Sequence, residues 1–181
     1  MHYLGYADDH QIYFHTKTQK DIVGSVQTHL ADIKTILDKL CLKLNTNKTI
    51  LQIFPVGHSD VELEVITADE QLNKSITLAK NLGFTIDNRL KLDKQISKAI
   101  QASCLQLKII ARFRNCMSED SCKKKLVSTL MLPKLNYCAT LYTNCVKKDI
   151  YRLQKIQNQA ARLITKTQKR HHITPVLKIL K

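Results

Sequence analysis

Apolar positions recur along this chain with two different periods, and the change between them divides it. His2-Tyr3-Leu4-Gly5-Tyr6 and His10-Gln11-Ile12-Tyr13-Phe14 are short, aromatic-rich segments that flank Ala7-Asp8-Asp9. Two such runs around a tight polar connection predict a hairpin with acidic residues at its tip. From about residue 18 to residue 40 the spacing lengthens. Ile22, Val23, Val26, Leu30, Ile33, Ile36, Leu37 and Leu40 recur at three- and four-residue steps, which predicts a helix with one apolar stripe. Asn45-Thr46-Asn47 supplies turn chemistry, and strand-like pieces follow at 49–54, 61–67, 75–79 and 82–86, with Pro55 and Gly57 separating the first two. This part reads as an antiparallel sheet backed by a helix.

From Leu90 onward the period is helical throughout. Leu92, Ile96, Ile100, Cys104, Leu107 and Ile110 mark one helix, and a second is expected from near Ser118, where Glu119 and Asp120 suit a helix N-terminus. Pro133 is expected to end or kink it. A third carries Ile150, Leu153, Ile156, Ala160, Leu163 and Ile164, and Thr174-Pro175 reads as cap and first-turn proline of a last helix. The expected class is therefore α+β, with residues 1–90 mixed and residues 91–181 all-helical.

Charge sharpens the division. Residues 1–90 hold nine Lys and Arg against eleven Asp and Glu, a net of −2; residues 91–181 hold twenty against four, a net of +16. An excess of that size repels itself unless a partner neutralises it, so the second half is expected to face a polyanion. Hydrophobic residues at 44% exclude a disordered chain. No apolar run is long enough to span a bilayer and no charged-then-apolar leader opens the chain, so an intracellular protein, nuclear or cytoplasmic and not secreted, is expected. The six cysteines then read as reduced, buried apolar residues; Cys116, Cys122, Cys138 and Cys145 lack the paired spacing of a zinc module.

Asp8 and Asp9 are the strongest chemical candidates. Adjacent carboxylates on a tight connection repel each other and are relieved by a bridging divalent cation. Mg²⁺ prefers hard oxygen ligands, and two such ions roughly 3.5–4 Å apart can stabilise both the attacking and leaving oxygens of a phosphoryl transfer. On residue types alone, a solvated Asp-Asp turn remains the alternative.

The context carries a resemblance. Tyr6-Ala7-Asp8-Asp9 between two apolar strands resembles the palm motif of reverse transcriptases. In the same order, Leu42-Lys43-Leu44-Asn45, Lys48-Thr49 and Ile53-Phe54 resemble the next palm motif of non-LTR retrotransposon polymerases, and Leu82-Gly83-Phe84-Thr85-Ile86-Asp87 resembles their primer grip. Leu132-Pro133-Lys134-Leu135-Asn136-Tyr137-Cys138, the segment from Leu153 to Arg162 and His172-Ile173-Thr174-Pro175-Val176-Leu177 are similar to thumb segments, most closely of LINE elements of the CR1, L2 and Jockey-like group. The resemblance spans nearly the whole chain.

It implies a partial palm at 1–90, from catalytic hairpin to primer grip, and a helical thumb at 91–181. Asp8 and Asp9 would be catalytic, metal-binding carboxylates of a site that holds two Mg²⁺ ions in the intact family enzyme and holds them weakly or not at all here. Lys48 would sit near the incoming triphosphate as a catalytic residue, and Leu82, Gly83 and Phe84 would form the primer grip. A surface lysine after a turn stays open for Lys48. The partners implied are an RNA template, a DNA primer or RNA–DNA duplex, and deoxynucleoside triphosphates, with no membrane. The family's fingers, first palm motif with its metal-binding Asp and template-gripping second motif have no counterpart here. A chain inactive alone and prone to self-association through exposed palm surface is expected.

In the basic half, Lys108, Arg112 and Arg114, then Lys123, Lys124 and Lys125, then Lys166, Lys169 and Arg170 are the expected contacts to phosphate, giving sequence-independent binding. Two other readings stay open: a non-catalytic, basic nucleic-acid-binding protein derived from a retrotransposon, and a helical scaffold for an acidic protein.

Overall fold

The computed structural model describes residues 2–15, 19–56, 64–66, 72–113, 115–116 and 119–180. The chain divides into two compact units, Met1–Ala79 and Lys80–Lys181. The division falls ahead of the 82–87 segment, not after it, because that segment packs with the helices that follow.

In the first unit, β1 (His2–Tyr6) and β2 (Asp9–Tyr13) pair antiparallel, with Tyr6 opposite Asp9 and a two-residue connection, Ala7-Asp8. The helix α1 (Gln19–Lys39) follows. Its stripe is narrower than the sequence suggests: Val26 is buried, whereas Ile36 and Leu40 lie in water. Phe14 stacks on His29 at 5.2 Å between ring centroids and pins the end of the hairpin to α1.

The remaining strands are shorter than the sequence pattern suggests. They are β3 (Leu51–Gln52), β4 (Glu64–Ile66) and β5 (Leu72–Ile76), in the order β3-β5-β4. β4 pairs antiparallel with β5, but β3 runs parallel to it, the connection between them being long enough for a crossover. The expected strand at 75–79 is broken at Thr77, where β5 ends and β6 (Leu78–Asn81) begins.

The second unit opens on β7 (Phe84–Asp87), paired with β6, and continues into α2 (Asp93–Arg112). Then come α3 (Asp120–Leu126), a π-helical turn at Val127–Met131 and α4 (Leu132–Asn136). Ser118, the expected start, lies outside the described residues; the cap is Glu119. Pro133 does not end the helical run, which passes through the π-helical turn into α4 with Pro133 in its first turn. Proline lacks an N–H and its ring crowds the carbonyl four residues earlier, so the preceding turn widens and the helix resumes.

A 3-10 helix at Ala139–Asn144, which no apolar spacing announces, leads into α5 (Lys147–Thr165). The last helix, α6 (Ile173–Ile179), is capped by His172, two residues before the expected Thr174. Pro175 still sits in the first turn, where a missing N–H costs nothing.

Two apolar clusters hold this unit. Leu107, Ile110, Val127, Met131, Leu135, Ile156, Ala160 and Ile164 form the larger. Phe84, Leu92, Ile96 and Tyr142 form the smaller, with Phe84 stacked on Tyr142. Arg152 ties α5 to α2: it pairs with Asp149 at 2.9 Å and donates to Ser97 Oγ at 3.0 Å. The fold class is α+β, as the sequence predicts.

Among the described residues the six cysteines are free thiols. They are not the buried apolar residues expected: Cys41, Cys116 and Cys122 are exposed, and Cys104, Cys138 and Cys145 half-buried. No helix among the described residues is long and apolar enough to cross a membrane.

Candidate functional site

Asp8 and Asp9 stand at the tip of the β1–β2 hairpin, both exposed. The turn forces Ala7 to φ 53, a left-handed backbone that costs a non-glycine residue about 1–2 kcal/mol. Strand alternation puts Asp9 on the face of Tyr6 and Leu4, while Gly5 and His10 share the other. Gly5 matters there. Tyr3 reaches over it to hydrogen-bond His10 Nδ1, and a Cβ at Gly5 would come within 3.0 Å of the Tyr3 hydroxyl.

Lys48 closes a 3-10 turn, Thr46–Lys48, its amide donating to Asn45 O at 3.1 Å. Its side chain is exposed, and no ion pair among the described residues joins it to Asp8 or Asp9. The two carboxylates are hard oxygen donors suited to Mg²⁺. Among the described residues, no group of three or more His, Cys, Asp and Glu side chains is placed to hold a metal ion. Asp8 and Asp9 therefore fit as part of a ligand set.

The segment expected to form a primer grip is a tight turn joining β6 to β7. Leu82 (φ 47) and Gly83 (φ 84) make the turn, and the Tyr137 hydroxyl donates to Leu82 O. Two resembling segments far apart in sequence thus meet. Phe84 corrects the expectation: it is 4% exposed, packed on Tyr142, so its ring anchors the turn instead of offering a surface. Thr85 is fixed from α2, its amide donating to Gln95 Oε1 at 3.0 Å and its hydroxyl accepting from Lys98 Nζ at 2.7 Å.

Asp87 controls the exit of this segment. Its carboxylate accepts from the Lys91 amide at 3.0 Å and the Leu92 amide at 2.9 Å, where Leu90 and Leu92 both adopt positive φ. Partial burial pushes its pKa up, but the backbone N–H groups outweigh that and hold it below the ordinary carboxylate value. Stability from this group is therefore present above the unfolded carboxylate pKa and lost as pH falls through the lowered folded one. Asp87→Ala is expected to cost about 1–2 kcal/mol at neutral pH, as for loss of a capping carboxylate. The penalty should shrink in strong acid. Urea melts at pH 7 and below pH 3 check this; equal penalties at both would refute the ionic cap.

Of the basic residues, Lys108, Arg112, Lys124, Lys125, Lys166, Lys169 and Arg170 are exposed, and Arg114 lies outside the described residues. Lys123 is a correction. It is 0% exposed, heads the buried row Val127, Met131 and Leu135, and gives its amine to Asp120 at 2.7 Å. That bond holds the Asp120 pKa down, and the charge of Lys166 acts in the same sense. Lys123 is a structural residue of α3, removed from the phosphate-facing set.

Sequence reasoning missed Arg162. Its guanidinium donates to Gln168 O at 2.6 Å and His171 O at 2.8 Å, bracketing Lys169 and Arg170. Its place in the resembling segment from Leu153 was the only signal.

No family model matches the chain, and no solved structure matches it. Over 170 residues, 88% of this chain, it is 26% identical to the probable RNA-directed DNA polymerase from transposon BS of Drosophila melanogaster. The chain spans 18% of the length of that curated relative. The similarity to this transposon polymerase thus runs along most of the present chain and over a small part of the relative.

Proposed function

We propose that this chain is the later palm and the thumb of a non-LTR retrotransposon reverse transcriptase, and that Lys80–Lys181 holds the template–primer duplex. The observation that carries the reading is the Asp8–Asp9 pair at the tip of the hairpin, Asp8 in its two-residue turn and Asp9 opening β2, within a chain similar to a transposon polymerase. Asp8 and Asp9 would hold Mg²⁺, which when bound neutralises phosphate charge during nucleotidyl transfer. Lys48 would face the triphosphate of the incoming nucleotide. The Leu82-Gly83 turn, backed by Phe84 and Tyr137, would lie along the primer. A second reading, a non-catalytic nucleic-acid-binding protein of the same ancestry, draws on the incomplete ligand set among the described residues.

Both readings require that the exposed cations bind phosphate. Each contact releases counterions, so log affinity falls linearly with log salt, by about 0.9 per phosphate. Four contacts give about a hundredfold loss between roughly 50 and 200 mM salt. Fluorescence anisotropy with a labelled RNA–DNA duplex checks this, and a scrambled duplex should bind equally well. A flat salt response would overturn the electrostatic reading, and strong preference for one sequence would overturn phosphate recognition.

A further inference from the structure

The turn that follows α5 is held in a way its own chain does not require. His171 N donates to Gln168 O at 3.2 Å, which makes Gln168–His171 a β-turn with Lys169 and Arg170 as its two central residues. Arg162 then grips both ends of this turn through the carbonyls of Gln168 and His171. Lys166, at φ 54, ends α5 immediately before it. The Thr165 and Thr167 hydroxyls are hydrogen-bonded at 2.7 Å, which steadies the approach.

The electrostatics of this arrangement are unfavourable by themselves. Residues 150–181 contain no Asp or Glu, and no ion pair among the described residues involves Lys169 or Arg170. Arg162 gives its fork to two neutral carbonyls and adds one more positive charge to a turn that already has two. Asp120, which feels the charge of Lys166, is already engaged by Lys123. A β-turn closes without an arginine clasp. What the clasp adds is a fixed spacing and direction for two adjacent cations in water.

We propose that the Gln168–His171 turn is a preformed phosphate clamp in which Lys169 and Arg170 contact the sugar–phosphate backbone of a nucleic-acid duplex and Arg162 is the positioning residue. This rests on the reading of the helical unit as duplex-binding, and it goes further by assigning one rigid contact point. Arg162 touches no phosphate. It acts by removing the ordering cost that a loose loop would incur on binding.

The salt slope separates the two roles. In the full chain, Lys169→Ala with Arg170→Ala is expected to weaken duplex binding and make the slope shallower by about 1.8, as two lost phosphate contacts should. Arg162→Met keeps the aliphatic stem and removes the fork. It is expected to weaken binding about fivefold to tenfold with an unchanged slope. Arg162→Lys, which can reach one carbonyl at a time, should fall between. In the free protein, amide exchange at His171 should speed up in Arg162→Met while the amides of α2 and α5 keep their protection. A slope made shallower by about one unit in Arg162→Met would mean that Arg162 itself contacts phosphate, and would overturn its positioning role. Unchanged affinity, or exchange that rises throughout α2 and α5, would overturn it too. A double Lys169/Arg170 variant that binds like the wild type overturns the clamp alone, whereas a wild-type chain that binds no duplex removes the underlying reading.

Discussion

Lys123→Ala is expected to lower the stability of the helical unit by about 2–3 kcal/mol, while Lys124→Ala and Lys125→Ala leave it nearly unchanged. The three lysines are consecutive, yet Lys123 is 0% exposed and its neighbours are in water. Its four-carbon stem fills space at the head of the row formed by Val127, Met131 and Leu135, and truncation leaves a cavity. Lys123→Met refills that volume and strands no charge, because Asp120 is 61% exposed and stays solvated. It should therefore sit close to the wild type. Asp120→Ala is the unfavourable partner change, because it leaves a buried ammonium without its carboxylate. Duplex binding reverses the ranking. The paired Lys124→Ala and Lys125→Ala change should make the salt slope shallower by about 1.8, and Lys123→Met should not alter it. Urea melts and anisotropy on the same samples check both halves. A Lys123→Met protein that loses slope would return this residue to the phosphate-facing set.

That lysine also shows where sequence reading stops. The apolar stripes of α2 and α5 were legible because each is continuous over several turns, and their ends matched within a few residues. The hairpin was legible too, since two aromatic runs around Ala7-Asp8-Asp9 leave little else to form. Lys123 was hidden because residue type predicts water, although its four-residue step to Val127, Met131 and Leu135 was visible. Local spacing also could not show the left-handed residues Leu90 and Leu92, which accompany the Asp87 carboxylate accepting the amides of Lys91 and Leu92. Phe84 reads from sequence as a surface of the turn because the ring that covers it, Tyr142, comes from a 3-10 helix with no periodic signature. In the site itself, the residue types of Asp8, Asp9 and Lys48 were readable. Arg162 was not, because its function lies in two carbonyls six and nine residues ahead.

The purified 181-residue chain is expected to give no template-dependent primer extension with Mg²⁺ and deoxynucleotides, and Asp8→Asn with Asp9→Asn to leave that baseline unchanged. Two-metal transfer needs carboxylates that hold both ions a few ångströms apart. Here Asp8 and Asp9 stand on an exposed turn, and no described His, Cys, Asp or Glu completes a set of three with them. Among the described residues, the acidic side chains that follow do not remedy this. Asp32 lies on α1 and faces His29 at 3.8 Å, one helical turn away from it. Mg²⁺ held by one or two exposed carboxylates keeps most of its water and exchanges readily, so its occupancy at millimolar concentration should be low. Isothermal titration of Mg²⁺ into the wild type and the double variant should therefore show little difference. Duplex binding should survive in both, since the cations proposed to face phosphate lie in the other unit. Extension by the wild type that the double variant abolishes would show that Asp8 and Asp9 belong to a complete catalytic site within this chain. In that case the missing ligand would have to come from residues outside those described.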